Sequence, residues 1–353
     1  MRARALAGFA IAAMALCLAA LAGAQAQRPV NARLLLGDAP AARLSDYRLF
    51  LDSGARTPNA RVTPYGLNTE LYADGAVKFR YVFIPPGAQA QYHESEVFAF
   101  PVGTALIKTF AAPGADGTMR FLETRLLIHR DDGWVAYPYV WNEAQSEAVY
   151  SPIGAEIPVA WRDAAGDEHA LAWRVPNRNQ CKGCHDRDGV VAPIGPSARN
   201  LNRDYPYAEG AANQLTYWAT LGLLAGAPAP SDAPRAPDAY AADDAPLALR
   251  ARTYLDVNCA HCHNPRGPAA TSGLDLRLAN EAAYSWGVMK PPVAAGRASA
   301  GMAFSIEPGH PERSILLHRM ESLDPGVMMP ELGRQTVDAR AVALIREWIA
   351  EME

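Results

Sequence analysis

The sequence predicts a multidomain chain: a β-rich, sandwich- or barrel-like N-terminal domain followed by a mainly α-helical region. Three observations predict it. Short apolar or alternating runs occupy 77–84, 97–110, 121–129, 134–141 and 157–161. Gly and Pro separate them, as in Pro85-Pro86-Gly87, Pro113-Gly114 and Asp131-Asp132-Gly133. Strands at this spacing with turn residues between them favour an antiparallel sandwich or barrel. Towards the C-terminus the apolar period changes to that of a helix. Leu247, Ala251, Tyr254, Leu255 and Asn258 share one face, and Ala341, Leu344, Ile345, Trp348 and Met352 share another.

The elements follow in order. Residues 1–26 carry Arg2 and Arg4, an apolar run over 5–21, and small-residue sites at Ala22-Gly23-Ala24 and Ala24-Gln25-Ala26. This is the build of a cleaved secretory signal peptide. A membrane anchor is the alternative, since the run approaches the lower limit of a spanning helix. No other apolar run is long enough to span, so the mature chain is expected to have no transmembrane segment. The β-rich domain is expected over 44–175. A segment at 176–224 follows, with helical spacing over 211–224. The stretch 225–246 holds five prolines and many alanines, which suits a linker over 225–245 or an extended surface loop. Residues 246–353 form the last module.

The chemistry sits in the second half. Cys-x-x-Cys-His occurs twice, at Cys181-Lys182-Gly183-Cys184-His185 and at Cys259-Ala260-His261-Cys262-His263. This is the attachment signature of c-type haem. Cys181 and Cys184, and likewise Cys259 and Cys262, are spaced for two thioether bonds. His185 and His263 then reach the iron as proximal ligands. The chain has five cysteines, and the fifth, Cys17, leaves with the signal peptide. Every remaining thiol therefore belongs to a motif. The cofactors expected are two haem c groups, with their iron, in a periplasmic protein.

For the second haem, Met329, directly before Pro330, is the expected distal ligand, with Met328 as its alternative. Thioether sulfur favours ferrous iron and raises the potential. His261, between the cysteines, is expected at the surface, pointing away from the iron. The first haem has no readable distal ligand, because 186–258 contains neither His nor Met. His93, His129, His169 and Met119 are the upstream candidates; the other possibility is an open iron. Arg187, Asn200, Asn202 and Arg203 could line its pocket, or else hold propionates and turns.

Two other readings of the cysteines are weaker. A four-cysteine zinc site is disfavoured by the 74 residues between the pairs and by the His after each. A redox dithiol lacks its βαβ context. The chain has 33 basic and 37 acidic residues, and loss of Arg2 and Arg4 leaves 31 and 37, about −6. Nucleic acid is therefore excluded as a partner, since phosphate binding needs a basic surface. A redox partner with a basic docking patch is compatible.

Two resemblances follow from these residues. The helix leading into the second motif, the helix ending the chain and the Met329-Pro330 pair resemble a class I cytochrome c domain. The whole mature chain resembles a family of bacterial dihaem c-type cytochromes of poorly characterised function. The likeness runs through FPVGT at 100–104, KTF at 108–110, YVWNE at 139–143, PNRNQ at 176–180, PIGP at 193–196, RNLNRD at 199–204, PPVAAGR at 291–297 and MPELGR at 329–334. It sharpens the class and supplies no reaction; from the two haem motifs the expected main function is periplasmic electron transfer between a redox donor and an acceptor. The likeness also implies a parallel β-helix repeat protein as a partner, because the genes of the two often lie together. The alternative is a peroxidase-like dihaem oxidoreductase, with the first haem open as catalytic site and the second as electron entry.

Overall fold

Lys78, Arg80 and Val82 alternate with Val77, Phe79, Tyr81 and Phe83, the period of a strand lying between two different environments. In the computed structural model, which describes residues 28–113, 118–162, 168–293 and 295–353, this run is the second strand of a six-stranded antiparallel sheet. The strands are β1 (Val62–Tyr65), β2 (Val77–Phe83), β3 (Ala105–Pro113), β4 (Met119–Arg130), β5 (Gly133–Trp141) and β6 (Ala148–Tyr150). They pair in sequence order as a meander. The signal-peptide segment lies outside the described residues.

Both faces of the sheet are covered. On one, Phe83, Ile107, Ile128 and Tyr139 pack against Leu35, Leu44, Tyr47 and Leu49 of the N-terminal segment. On the other, Val82, Leu106 and Leu127 pack against Phe98, Leu201, Leu215 and Trp218. Burial on both sides explains why β3 and β4 read as nearly continuous apolar runs. The expected sandwich or barrel is corrected here. Among the described residues β1 and β6 do not pair, so the sheet stays open, and loops and short helices cover it where a second sheet was expected. The strand expected at 157–161 belongs to a separate hairpin, β7 (Ala155–Arg162) with β8 (Glu168–Val175). Its Val159, Trp173 and Val175 pack onto Phe110 and Leu122.

Glu123 fastens this hairpin to the sheet. It is 0% exposed and accepts from Arg125 Nε at 2.8 Å, Arg125 Nη2 at 2.7 Å and Trp173 Nε1 at 2.9 Å. Removing one partner of a buried pair strands the other charge. Glu123→Ala is therefore expected to lower the unfolding free energy by about 3–5 kcal/mol, measured by denaturant unfolding. Glu123→Gln, which keeps an acceptor for Trp173, should lose less.

The expectation of a mainly α-helical haem-binding region with a class I cytochrome c-like C-terminal domain is overturned. Among the described residues beyond Val175 only α2 (Leu247–Asn258) and α3 (Ala339–Ala350) reach 12 residues. The motif helix α1 (Arg178–His185) has 8, and the other helices are shorter. The segment 211–224, read as helical, divides between a hairpin strand (Gly210–Asn213) and a 7-residue helix (Gln214–Thr220). The physical reason is composition between the helices. Pro and Gly recur through 265–338 and break the helical ladder. Buried arginines satisfy the resulting coil: Arg334 donates to the carbonyls of Arg319, Ser322, Met329 and Thr336. Helices α2 and α3 still pack together, through Leu255, Ala341, Ile345 and Trp348. The stretch 225–246 is pinned to its neighbours, with Asn202 donating to the Pro230 and Ala233 carbonyls and Thr69 to that of Pro237. No helix among the described residues is long and apolar enough to cross a membrane.

Candidate functional site

The first motif begins with a cap. Asn177 Oδ1 accepts from the Gln180 amide at 2.9 Å, and Gln180 Oε1 accepts from the Asn177 amide at 2.9 Å. This reciprocal pair satisfies two helix-end donors and starts α1 just ahead of Cys181. At the other end His185 is clasped by Ala192. The Ala192 amide donates to the His185 carbonyl at 2.8 Å, and His185 Nδ1 donates to the Ala192 carbonyl at 2.8 Å. With its proton on Nδ1, the ring presents the Nε2 lone pair, which has no hydrogen-bond partner among the described residues. This is the arrangement that orients a metal-ligating imidazole.

The second motif repeats the logic with different parts. Helix α2 delivers it, and Asn258 Oδ1, just before Cys259, accepts from the Tyr72 amide at 2.7 Å. His263 Nδ1 lies 3.0 Å from Ser272 Oγ. Ser272 commits its proton to the Ala269 carbonyl at 2.7 Å, so its oxygen accepts from Nδ1. His263 Nε2 is again left uncommitted. Burial pushes both imidazoles down to about 4, opposed at His185 by the Ala192 carbonyl and helped at His263 by the Arg319 charge. Both rings are therefore neutral at physiological pH, the form that ligates.

The two motifs, 74 residues apart in sequence, touch. Cys262 Sγ donates to the Gly183 carbonyl at 3.6 Å, which sets the Cys184 and Cys262 thiols side by side. Their interaction pulls the Cys184 thiol down and pushes that of Cys262 up. Burial pushes Cys259 up to about 12 and raises Cys181 against the pull of Arg125. The loops beyond the motifs are zipped as well: Asp188 N donates to the Arg266 carbonyl at 2.9 Å, and the two side chains form an ion pair at 2.5 Å. Gly183 leaves little room for a side chain, since a Cβ there would sit 3.3 Å from Leu332 Cδ1.

A cavity of about 740 Å³ opens between the sheet and the motifs. Cys181, Cys184 and His185 line it, as do Ala260 and His261 of the second motif and Met329. Arg187 and Asn200 also line it, whereas Asn202 and Arg203 bond the carbonyls of neighbouring loops. Met328 is buried and lies off the cavity wall. The expectation for His261 is corrected: it is half-buried on the cavity wall, hydrogen-bonded to Cys184, with Nδ1 buried and without a partner. The upstream ligand candidates stand elsewhere. His93 is exposed; His129 stacks on Trp134 at 4.6 Å and bonds the Phe100 carbonyl; Met119 packs against the N-terminal core. The His169 side chain lies outside what is described.

These residues fit haem c. Each motif offers two thiols and a neutral imidazole oriented by its own second partner, and the cavity offers apolar walls with cationic groups. A zinc site fits less well, for among the described residues no three His, Cys, Asp or Glu side chains converge as ligands. What the sequence reading missed is the sheet's share of the wall. Arg80, Lys108 and Arg125 line the cavity, and the one available signal was a lone lysine within the apolar run 105–112. Comparison with protein-family models, curated proteins and solved structures finds no match to this chain.

Proposed function

We propose that the chain is a dihaem c-type cytochrome that relays electrons in the periplasm between a redox donor and an acceptor protein. The observation that carries this reading is that two complete attachment sets touch, through Cys262 and Gly183, beside a cavity lined by Cys181, Cys184 and His185. A bound haem supplies one-electron chemistry at its iron. The chain's own residues fix the rest. Ala192 and Ser272 hold the two imidazoles in one tautomer, and the Cys262–Gly183 contact brings the attachment points together. Haems held by Cys181, Cys184 and His185 and by Cys259, Cys262 and His263 would supply one-electron chemistry at two sites whose anchoring motifs touch. The acidic mature chain suits partners with basic docking patches, and the parallel β-helix repeat protein belongs with these partners.

A second reading is favoured by one observation. His93, His129 and Met119, three of the four distal ligands considered for the first haem, stand off the cavity. An open iron would suit a peroxidase-like oxidoreductase, its chemistry set by the polarity of the distal pocket. EPR of the oxidised protein tests the two. Two low-spin signals are expected for an electron relay. A high-spin signal that converts on adding cyanide would move the assignment to the oxidoreductase.

A further inference from the structure

Charges on the inner face of the sheet do not balance. The register pairs Arg80 of β2 with Lys108 of β3, and Lys108 with Arg125 of β4. Three cations thus stand side by side, and like charges directly opposite destabilise a sheet. Lys78 lies on the same face, two residues before Arg80. Two carboxylates serve these four cations. Glu70 accepts from Arg80 Nη1 at 3.0 Å and Lys78 Nζ at 3.3 Å, and Glu123 is taken by Arg125.

Two donors are left over. Arg80 is 5% exposed, and its Nη2 is buried with no partner. Lys108 has no carboxylate or hydrogen-bond partner among the described residues; its Nζ stands over the Phe110 ring, 4.7 Å from the ring centroid. Both residues line the cavity. Burial and the neighbouring charges of Arg80, Arg125 and Lys78 hold the Lys108 ammonium well below the usual lysine range. Other cations on the same wall are paired, Arg187 with Glu96 and Arg199 with Asp256. A buried donor left unsatisfied costs about 1–3 kcal/mol, so Arg80 Nη2, buried without a partner, beside the half-buried and unpaired Lys108 ammonium points to an absent anion.

We propose that Arg80 and Lys108 form a carboxylate-binding site, and that its occupant is the propionate pair of the haem attached at Cys181 and Cys184. The excess of two positive charges on this face equals the two carboxylates of one haem. The site adjoins the first motif, since the Lys108 charge acts on His185 and that of Arg125 on Cys181. A free small oxyanion has the same chemistry and is the competing source. The assignment rests on the dihaem reading above.

The test uses full-length protein matured with the haem-attachment machinery, unsubstituted and as Lys108→Met, Lys108→Arg and Arg80→Gln. Covalent haem is counted first; fewer than two in the unsubstituted protein overturns the dihaem reading itself. With two present, spectroelectrochemistry reads each potential. Removing a positive charge beside a haem favours its oxidised state. The first haem's potential is therefore expected to fall in Lys108→Met and Arg80→Gln and to recover in Lys108→Arg, while the second haem's stays put. Unchanged potentials in both neutral variants overturn the proposal. So does a shift of the first haem's spectrum on titrating formate or nitrite into the unsubstituted protein that is absent in Lys108→Met, because the site would then serve a free anion.

Discussion

Replacing Cys181 and Cys184 together with Ala is expected to halve the covalent haem per chain and to lower the thermal stability of what remains. The first effect follows from chemistry alone: without thiols there is no thioether, and the pyridine haemochrome absorbance per protein should drop twofold, with the mass of one haem lost. The second follows from the wall. The cavity beside the first motif would lose its occupant, leaving Arg80 Nη2 and the Lys108 ammonium without an anion. At about 1–3 kcal/mol for the one unsatisfied buried donor, Arg80 Nη2, and roughly 2–4 °C per kcal/mol for a domain of 150–250 residues, the melting temperature should fall by roughly 2–12 °C. The matching pair Cys259→Ala and Cys262→Ala should halve the haem equally. A mutant retaining two covalent haems after either double substitution would sink the assignment of that motif.

The two halves of this molecule were unequally legible, and particular residues show why. A Cys-x-x-Cys-His motif is local chemistry, complete within five residues, so it can be read without knowing the fold. The cap Asn177–Gln180 is equally local. The row Arg80–Lys108–Arg125 is not. A period of two assigns each residue to a face of its own strand, but aligning the three needs the register across strands that are far apart in sequence. His261 was misplaced for the same reason. Its neighbour Cys184 lies 77 positions away in sequence, and only the contact between the motifs draws it into the cavity wall. The helical region was misread by extrapolation. The strong patterns at α2 and α3 bracket a long stretch of turns, and nothing local says that their period lapses between them except the prolines and glycines. The open sheet was hidden because burial on both faces looks alike in sequence, whether the cover is a second sheet or a coil.

Substituting Met329 should produce the largest change in potential available to a single residue here. Thioether ligation stabilises ferrous iron, and axial ligands control potentials over roughly 0.8 V. Met329→Ala is expected to abolish the sulfur-to-iron absorption band of the oxidised protein and to lower one potential by a sizeable part of that span, while leaving both haems covalently attached. The loop should survive the change, because backbone contacts hold it. The Met329 amide donates to the Arg319 carbonyl at 3.0 Å, and Arg334 Nη2 donates to the Met329 carbonyl at 2.9 Å. Met328, buried and with its amide bonded to the Asp324 carbonyl at 2.8 Å, stands off the cavity and reads as packing. A band that persists in Met329→Ala would transfer the role to Met328. Which haem the sulfur serves is a separate question, because Met329 borders the cavity that His185 lines, while its amide is tied to Arg319, whose charge acts on His263. The double substitution at Cys181 and Cys184 answers it. If the band remains when the first haem is gone, Met329 ligates the second haem, as its place after that motif in the sequence predicts; if the band vanishes with the first haem, the ligand crosses between the motifs.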